Sequence, residues 1–212
     1  MAFKGDFHLA MAFIVLGAVF DFFDGMVARL LGVSSPMGVQ IDSLADDITF
    51  GIAPATIVFS YMQNKLLYPA YLEDIVWLLP YAAFFIAVFS AYRLAKFNID
   101  DRQTSSFLGL ATPANAIFWS GIAIQFSGAQ DWNTYLLLPL VLLFSYLLIC
   151  EIPMFSLKFK SLKWNENKIR YIFLIGSVVF LIMLQFSALS IVILWYLFLS
   201  LVEKIRKIVE LF

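Results

Sequence analysis

Apolar stretches of close to 20 residues, parted by short polar connectors, dominate the chain. They fall at approximately 8–28, 43–63, 75–96, 107–127, 133–154, 169–186 and 188–203. About 20 apolar residues in helical form cross the roughly 30 Å of a bilayer core, so the pattern predicts about seven transmembrane helices. The last two are parted only by Ser187 and its neighbours and can equally form one bent hairpin. No stretch alternates apolar and polar residues with period two, so none is read as a strand. The predicted fold class is an all-α, polytopic integral membrane helix bundle. No repeat or low-complexity linker divides it, and one membrane domain over 1–212 is expected. The first apolar run leads into acidic and glycine-bearing sequence rather than a small-residue cleavage site, so no cleavable signal peptide is expected.

Composition supports the lipid reading. Hydrophobic residues make up 62% of the chain and charged ones 14%, against about 45–50% and about 25% in soluble domains. Too little polar surface is left to cover a water-facing fold. The net charge of −1 offers no excess of cations to neutralise phosphates, which argues against nucleic acid as a partner. Cys150 is the single cysteine, so neither an internal disulfide nor a cysteine-based metal site is expected.

The distribution of cations sets a direction. With seven spans, twelve of the fourteen lysines and arginines fall on one side: Arg29, Arg93, Lys96, Arg102, the five from Lys158 to Arg170, Lys204, Arg206 and Lys207. Only Lys4 and Lys65 fall on the other. Cytoplasmic connectors collect such cations, so the amino terminus is expected outside and the carboxyl terminus inside.

Charged residues against apolar spans are expensive and mark function by default. Asp21 and Asp24, spaced i, i+3, share one face near the inner end of the first span, and Gly25, Ala28 and Arg29 extend that face. Asp42 and Asp46, spaced i, i+4, share a face at the inner start of the second span. The connector carries the turn signals Gly32, Pro36 and Gly38. Two antiparallel helices can thus present four carboxylates to one point. Such a group repels itself unless cations hold it, and oxygen-only ligands suit hard divalent ions. Small residues beside the carboxylates leave room for a bulky ligand, as in a two-metal phosphoryl-transfer site. Asp47 lies about 100° around the helix from Asp46 and is expected to face a connector or a polar neighbour. His8, at the outer mouth of the first span, and Glu151, near the inner end of the fifth, are read as structural, Glu151 either pairing with a lysine of the following loop or taking part in assembly.

The order Asp21-x2-Asp24-Gly25-x2-Ala28-Arg29-x8-Gly38-x3-Asp42-x3-Asp46 is similar to the CDP-alcohol phosphotransferase motif at each of its eight specified positions. Asp42-Ser43-Leu44-Ala45-Asp46, Phe50-Gly51-Ile52-Ala53-Pro54-Ala55, Arg93-Leu94-Ala95-Lys96-Phe97-Asn98 and Gly109-Leu110-Ala111-Thr112-Pro113-Ala114 resemble the phosphatidylserine synthase branch. The likeness runs from about residue 7 to about 160. It implies a transferase of phospholipid biosynthesis that moves a phosphatidyl group from CDP-diacylglycerol to L-serine and releases CMP. It also implies divalent metal, Mn²⁺ or Mg²⁺ and two ions, held by Asp21, Asp24, Asp42 and Asp46, with Asp46 as the base on the acceptor hydroxyl. Gly25, Ala28, Arg29, Gly38 and Ser43 would line the CDP portion, and a homodimer is typical of the family. Family members carry a further amino-terminal helix, whereas this chain starts at Met1 directly ahead of the aspartate-bearing helix, so a shortened form is expected.

The acceptor needs its own contacts. Serine presents a carboxylate that guanidinium or ammonium groups recognise, and Arg93, Lys96 and Asn98 at the inner end of the third span are the candidates. The active site is therefore expected at the cytoplasmic face of a prokaryotic inner membrane, with membrane lipids as further partners. Two alternatives stay open: a different acceptor such as glycerol phosphate or inositol phosphate, and a cation or proton transporter using the aspartates as a relay. The latter would spread acidic groups through the membrane depth, but the four motif aspartates gather at one end.

Overall fold

A computed structural model describes residues 1–33, 35–65, 74–100, 107–125, 134–157 and 163–209. Arg102, Lys158 and Lys160, together with the ends of the predicted spans at 126–127 and 133, lie outside the described residues.

Helix α1 (Phe7–Leu31) opens where the Asp6 carboxylate accepts the Leu9 N–H at 3.1 Å, satisfying one of the amide donors a helix start leaves over. It closes at Gly32, whose φ of 62° is the left-handed conformation that glycine adopts without a Cβ penalty. Helix α2 (Pro36–Asp46) follows almost at once. Ser35 caps it by accepting the Gly38 N–H at 3.0 Å, and Pro36 takes the first turn, where its missing N–H is no loss. The chain then runs through a π-helical turn (Asp47–Ile52) into α3 (Ala53–Lys65). Helical structure therefore begins at Pro36, well ahead of the expected start at 43. Asp42 and Asp46 lie in the last turns of α2, ahead of the apolar run.

A 3-10 turn (Leu79–Phe84) leads into α4 (Phe85–Ile99), then come β1 (Phe107–Leu108), α5 (Thr112–Gln125), α6 (Thr134–Ile149) and β2 (Pro153–Met154). The two strands pair antiparallel, Phe107 opposite Met154 and Leu108 opposite Pro153. This small clasp ties the start of α5 to the end of α6. Helix α7 (Trp164–Leu184) and α8 (Ala188–Val209) are joined by a 3-10 turn at Gln185–Ser187. Phe180 and Trp195 meet edge to face, and a Cβ on Gly176 would meet the Trp195 indole. The two form the bent hairpin foreseen for the last apolar runs.

Phe7–Leu31, Leu79–Ile99 and Asn167–Arg206 are long and apolar enough to cross a membrane, the last of these holding both arms of the hairpin. Leu136–Ile149 is a shorter apolar helix. The chain is a multi-pass membrane helix bundle. Its outward surface agrees: on α1 only Phe7, Met11 and Ile14 are buried, while Phe13, Phe20, Phe22 and Phe23 point out, as lipid rather than water permits.

Helix α5 is the axis of the bundle, buried almost throughout from Phe118 to Ile124. Small residues let its neighbours approach closely. A Cβ on Gly121 would stand 2.6 Å from the Ser190 backbone nitrogen of α8. Three residues earlier, Phe118 stacks on Phe144 of α6 with ring centroids 3.7 Å apart.

Candidate active site

Antiparallel α1 and α2, joined by a connector of a few residues, bring Asp21, Asp24 and Asp42 together. One carboxylate oxygen from each lies within 4.8 Å of the others. Asp21 is half-buried; Asp24 and Asp42 are exposed. Three anions this close repel one another, and a set of oxygen donors without histidine or cysteine suits a hard divalent ion. The cluster therefore fits a divalent metal. Asp46 stands outside this trio but within electrostatic reach of all three carboxylates and of the Arg93 guanidinium.

Beside the trio opens a groove of about 440 Å³ lined by Asp24, Gly25, Ala28, Val33, Ser35, Gly38, Val39 and Asp42. That volume is within the range of ligand pockets, about 300–1,000 Å³. Gly25 and Gly38 bring no side chain into the groove they line. The nearest atom to a Cβ on Gly25 would be the Arg29 Nη2 at 4.0 Å, and to one on Gly38 the Ser35 Oγ at 3.0 Å. Exposed Arg29 thus stands over Gly25 at the rim, in the last turn of α1. Of the residues expected around CDP, Gly25, Ala28 and Gly38 line the groove. Ser43 lies apart from that lining. Its hydroxyl donates to the Val39 carbonyl at 3.1 Å and accepts from the Asn98 side-chain amide at 2.9 Å.

The acceptor candidates separate. Arg93 of α4 is 8% exposed and within electrostatic reach of Asp46, and its Nε is buried without a hydrogen-bond partner. Asn98 is engaged with Ser43 and ties α4 to α2. Lys96 makes an ion pair with Glu151 at 3.2 Å. The lysine that Glu151 meets is thus one from α4, not one from the loop that follows it. His8 is exposed at the far end of α1, more than a dozen residues from Asp21 at about 1.5 Å rise each.

Two groups near the site had no sequence signal. Tyr196 of α8 lies within electrostatic reach of Arg93 and donates its hydroxyl to the Phe155 carbonyl at 2.9 Å. Ser90, one turn before Arg93 on α4, is fully buried. Each is a long-range contact inside an apolar run, where hydropathy alone does not tell one face from another. Asp47 leans over Gly51 toward Ser90, a polar neighbour of the kind expected for it.

Residues 1–202 match the family model for CDP-alcohol phosphatidyltransferase, and the chain belongs to that family. Curated relatives named CDP-diacylglycerol–serine O-phosphatidyltransferase occur in several prokaryotes. The Mycobacterium leprae protein is 36% identical over 155 residues, 68% of this chain and 48% of that protein. The Bacillus subtilis protein is 38% identical over 108 residues, 51% of this chain and 56% of its own length. The Helicobacter pylori strain J99 protein is 30% identical over 211 residues, 97% of this chain and 84% of that protein. The chain thus spans about half the length of the first two.

Proposed function

We propose that this chain transfers a phosphatidyl group from CDP-diacylglycerol to L-serine, giving phosphatidylserine and CMP. The observation that carries the reading is the juxtaposition of a three-carboxylate cluster with a groove walled by Gly25, Ala28 and Gly38. The names of the relatives support the choice of donor and acceptor. One membrane domain over 1–212, with the catalytic core at about 7–160, would carry the reaction.

In this reading Asp21, Asp24 and Asp42 hold two divalent ions, Mg²⁺ or Mn²⁺, with Asp46 completing the site. Bound there, such ions neutralise the pyrophosphate and stabilise the leaving group. The nucleotide lies in the groove, where the absence of side chains on Gly25 and Gly38 lets its phosphates approach backbone; Arg29 stands over Gly25, and Ser43, apart from the lining, acts on it through its bonds to Val39 and Asn98. Asp46 accepts the proton of the serine hydroxyl. The hydroxyl oxygen forms a bond to the phosphatidyl phosphorus, and the bond from that phosphorus to the CMP oxygen breaks, CMP leaving with the electron pair. Arg93 receives the serine carboxylate through a charge-assisted hydrogen bond. Its buried, unpartnered Nε favours this role over that of a surface anchor. Lys96 and Asn98, already engaged with Glu151 and Ser43, support the pocket from outside.

The site belongs at the cytoplasmic face of a prokaryotic inner membrane, where serine and CMP exchange with the cytosol while the acyl chains remain in lipid. A homodimer is the proposed assembly. The test is release of CMP from CDP-diacylglycerol with Mn²⁺ or Mg²⁺ and a panel of acceptors. Serine-dependent release supports the reading; release driven by glycerol phosphate or inositol phosphate, with serine inert, would reassign the acceptor.

A further inference from the structure

Asp46 and Asp47 are consecutive, yet both address α4. Asp46 lies within electrostatic reach of Arg93, and Asp47 leans over Gly51 toward Ser90, which lies one turn before Arg93 on the same helix face. Consecutive residues of a continuous α-helix diverge by about 100°. Here the backbone changes to a π-helical turn at Asp47, and such turns shift helical register, often beside functional groups.

The contact is tight and unsatisfied. A Cβ on Gly51 would collide with Asp47 Oδ1 and stand 3.0 Å from Ser90 Cβ. Only glycine leaves the carboxylate that seat. Asp47 Oδ1 and Ser90 Oγ are both buried without a hydrogen-bond partner, and Ser90 is 0% exposed. Buried polar atoms in native proteins are paired, and both of these side chains border the Cβ position of Gly51.

We propose that Asp47 and Ser90 form a positioning pair: the Ser90 hydroxyl donates to the Asp47 carboxylate across Gly51, directly or through one water, and holds the π-helical turn in the register that presents Asp46 to Arg93. Asp47 then acts through Asp46 without touching substrate. This role rests on the reading of Asp46 as the base; the pairing itself does not.

The test compares wild type, Asp47→Ala, Asp47→Asn, Ser90→Ala, Gly51→Ala and the double variant D47A/S90A in detergent, by serine-dependent CMP release and by thermal unfolding. Asp47→Ala and Ser90→Ala are expected to lower kcat about tenfold with KM for CDP-diacylglycerol unchanged, and Gly51→Ala to copy Asp47→Ala. The double variant should be no slower than Asp47→Ala, and its unfolding midpoint no lower. Asp47→Asn, which keeps the shape and the acceptor oxygen, should recover at least half of wild-type kcat. Wild-type kcat in Asp47→Ala, or an asparagine variant no better than alanine, overturns the positioning role. Additive losses in the double variant overturn the pair. If wild type releases no CMP with serine, the functional reading has failed instead. The unfolding comparison then decides the pair alone, and Ser90→Ala and Asp47→Asn, small changes that keep the fold, are enough to read it.

Discussion

The Asn98 side-chain amide donates to the Ser43 hydroxyl at 2.9 Å, joining the end of α4 to the helix that carries Asp42. Ser43 passes the link on by donating to the Val39 carbonyl at 3.1 Å. Asn98→Ala removes one half-buried hydrogen bond, which is worth about 1 kcal/mol. It should lower the unfolding midpoint modestly and reduce kcat several-fold as α2 loosens. Ser43→Ala should do the same, and the double variant should lose no more than either single. Thermal unfolding and CMP release on the three proteins check this. An additive double variant would mean that Asn98 and Ser43 act on separate partners.

Much of this arrangement was legible beforehand, and the exceptions have a common cause. The aspartate spacings, the turn signals Gly32, Pro36 and Gly38 and the small positions of the motif are local signals within one or two turns, and α1 and α2 follow them. The break at Asp47 was not legible, because a π-helical turn changes register by a single residue and leaves hydropathy untouched. The partner of Lys96 was missed because Glu151 is 55 residues away and a nearer loop supplied lysines. Tyr196 was invisible because α8 is apolar around most of its circumference. Local chemistry could be read, whereas the choice of partner across the bundle required the packing.

The ion pair of Lys96 with Glu151 should matter little. Its side chains are 28% and 60% exposed, and pairs in such settings contribute about 0–1 kcal/mol and are screened by salt. Lys96→Ala and Glu151→Gln are expected to leave KM for serine within about threefold of wild type. Arg93→Ala, removing a buried guanidinium beside Asp46, should raise serine KM or lower kcat by at least tenfold. A Lys96→Ala variant with a tenfold higher serine KM would return this lysine to the acceptor site.

Gly109 closes the turn between β1 and α5 under two constraints. Its φ is +73°, and a Cβ there would stand 2.7 Å from the Leu148 carbonyl oxygen, 2.8 Å from that of Cys150 and 3.0 Å from that of Leu147. Backbone oxygens cannot swing aside as a side chain can. Gly109→Ala should therefore destabilise by about 1–3 kcal/mol from backbone strain and crowding. It should unfold at clearly lower temperature in detergent than a Gly5→Ala control. Gly5 shares the left-handed φ, at +74°, but has no atom within 4 Å of its Cβ position. Equal midpoints would show that the crowding relaxes without cost.

The carboxylates divide by geometry into a trio and a fourth member, and metal binding should divide the same way. Asp21, Asp24 and Asp42 approach within 4.8 Å, so replacing any of them with asparagine removes a charge from the ligand set. Each such variant should bind Mn²⁺ weakly and lose at least about 10²–10³-fold in kcat, the scale on which a key electrostatic stabiliser acts. Asp46 stands outside the trio and beside Arg93. Asp46→Asn should keep most Mn²⁺ affinity, measured by electron paramagnetic resonance, while losing about 10²–10⁴-fold in kcat, the range of general-base assistance. Exhaustive chelation should abolish wild-type CMP release, with Mg²⁺ or Mn²⁺ restoring it. Loss of Mn²⁺ binding in Asp46→Asn equal to that in Asp42→Asn would make Asp46 a ligand first, and leave the proton acceptor to be sought among its neighbours on α4.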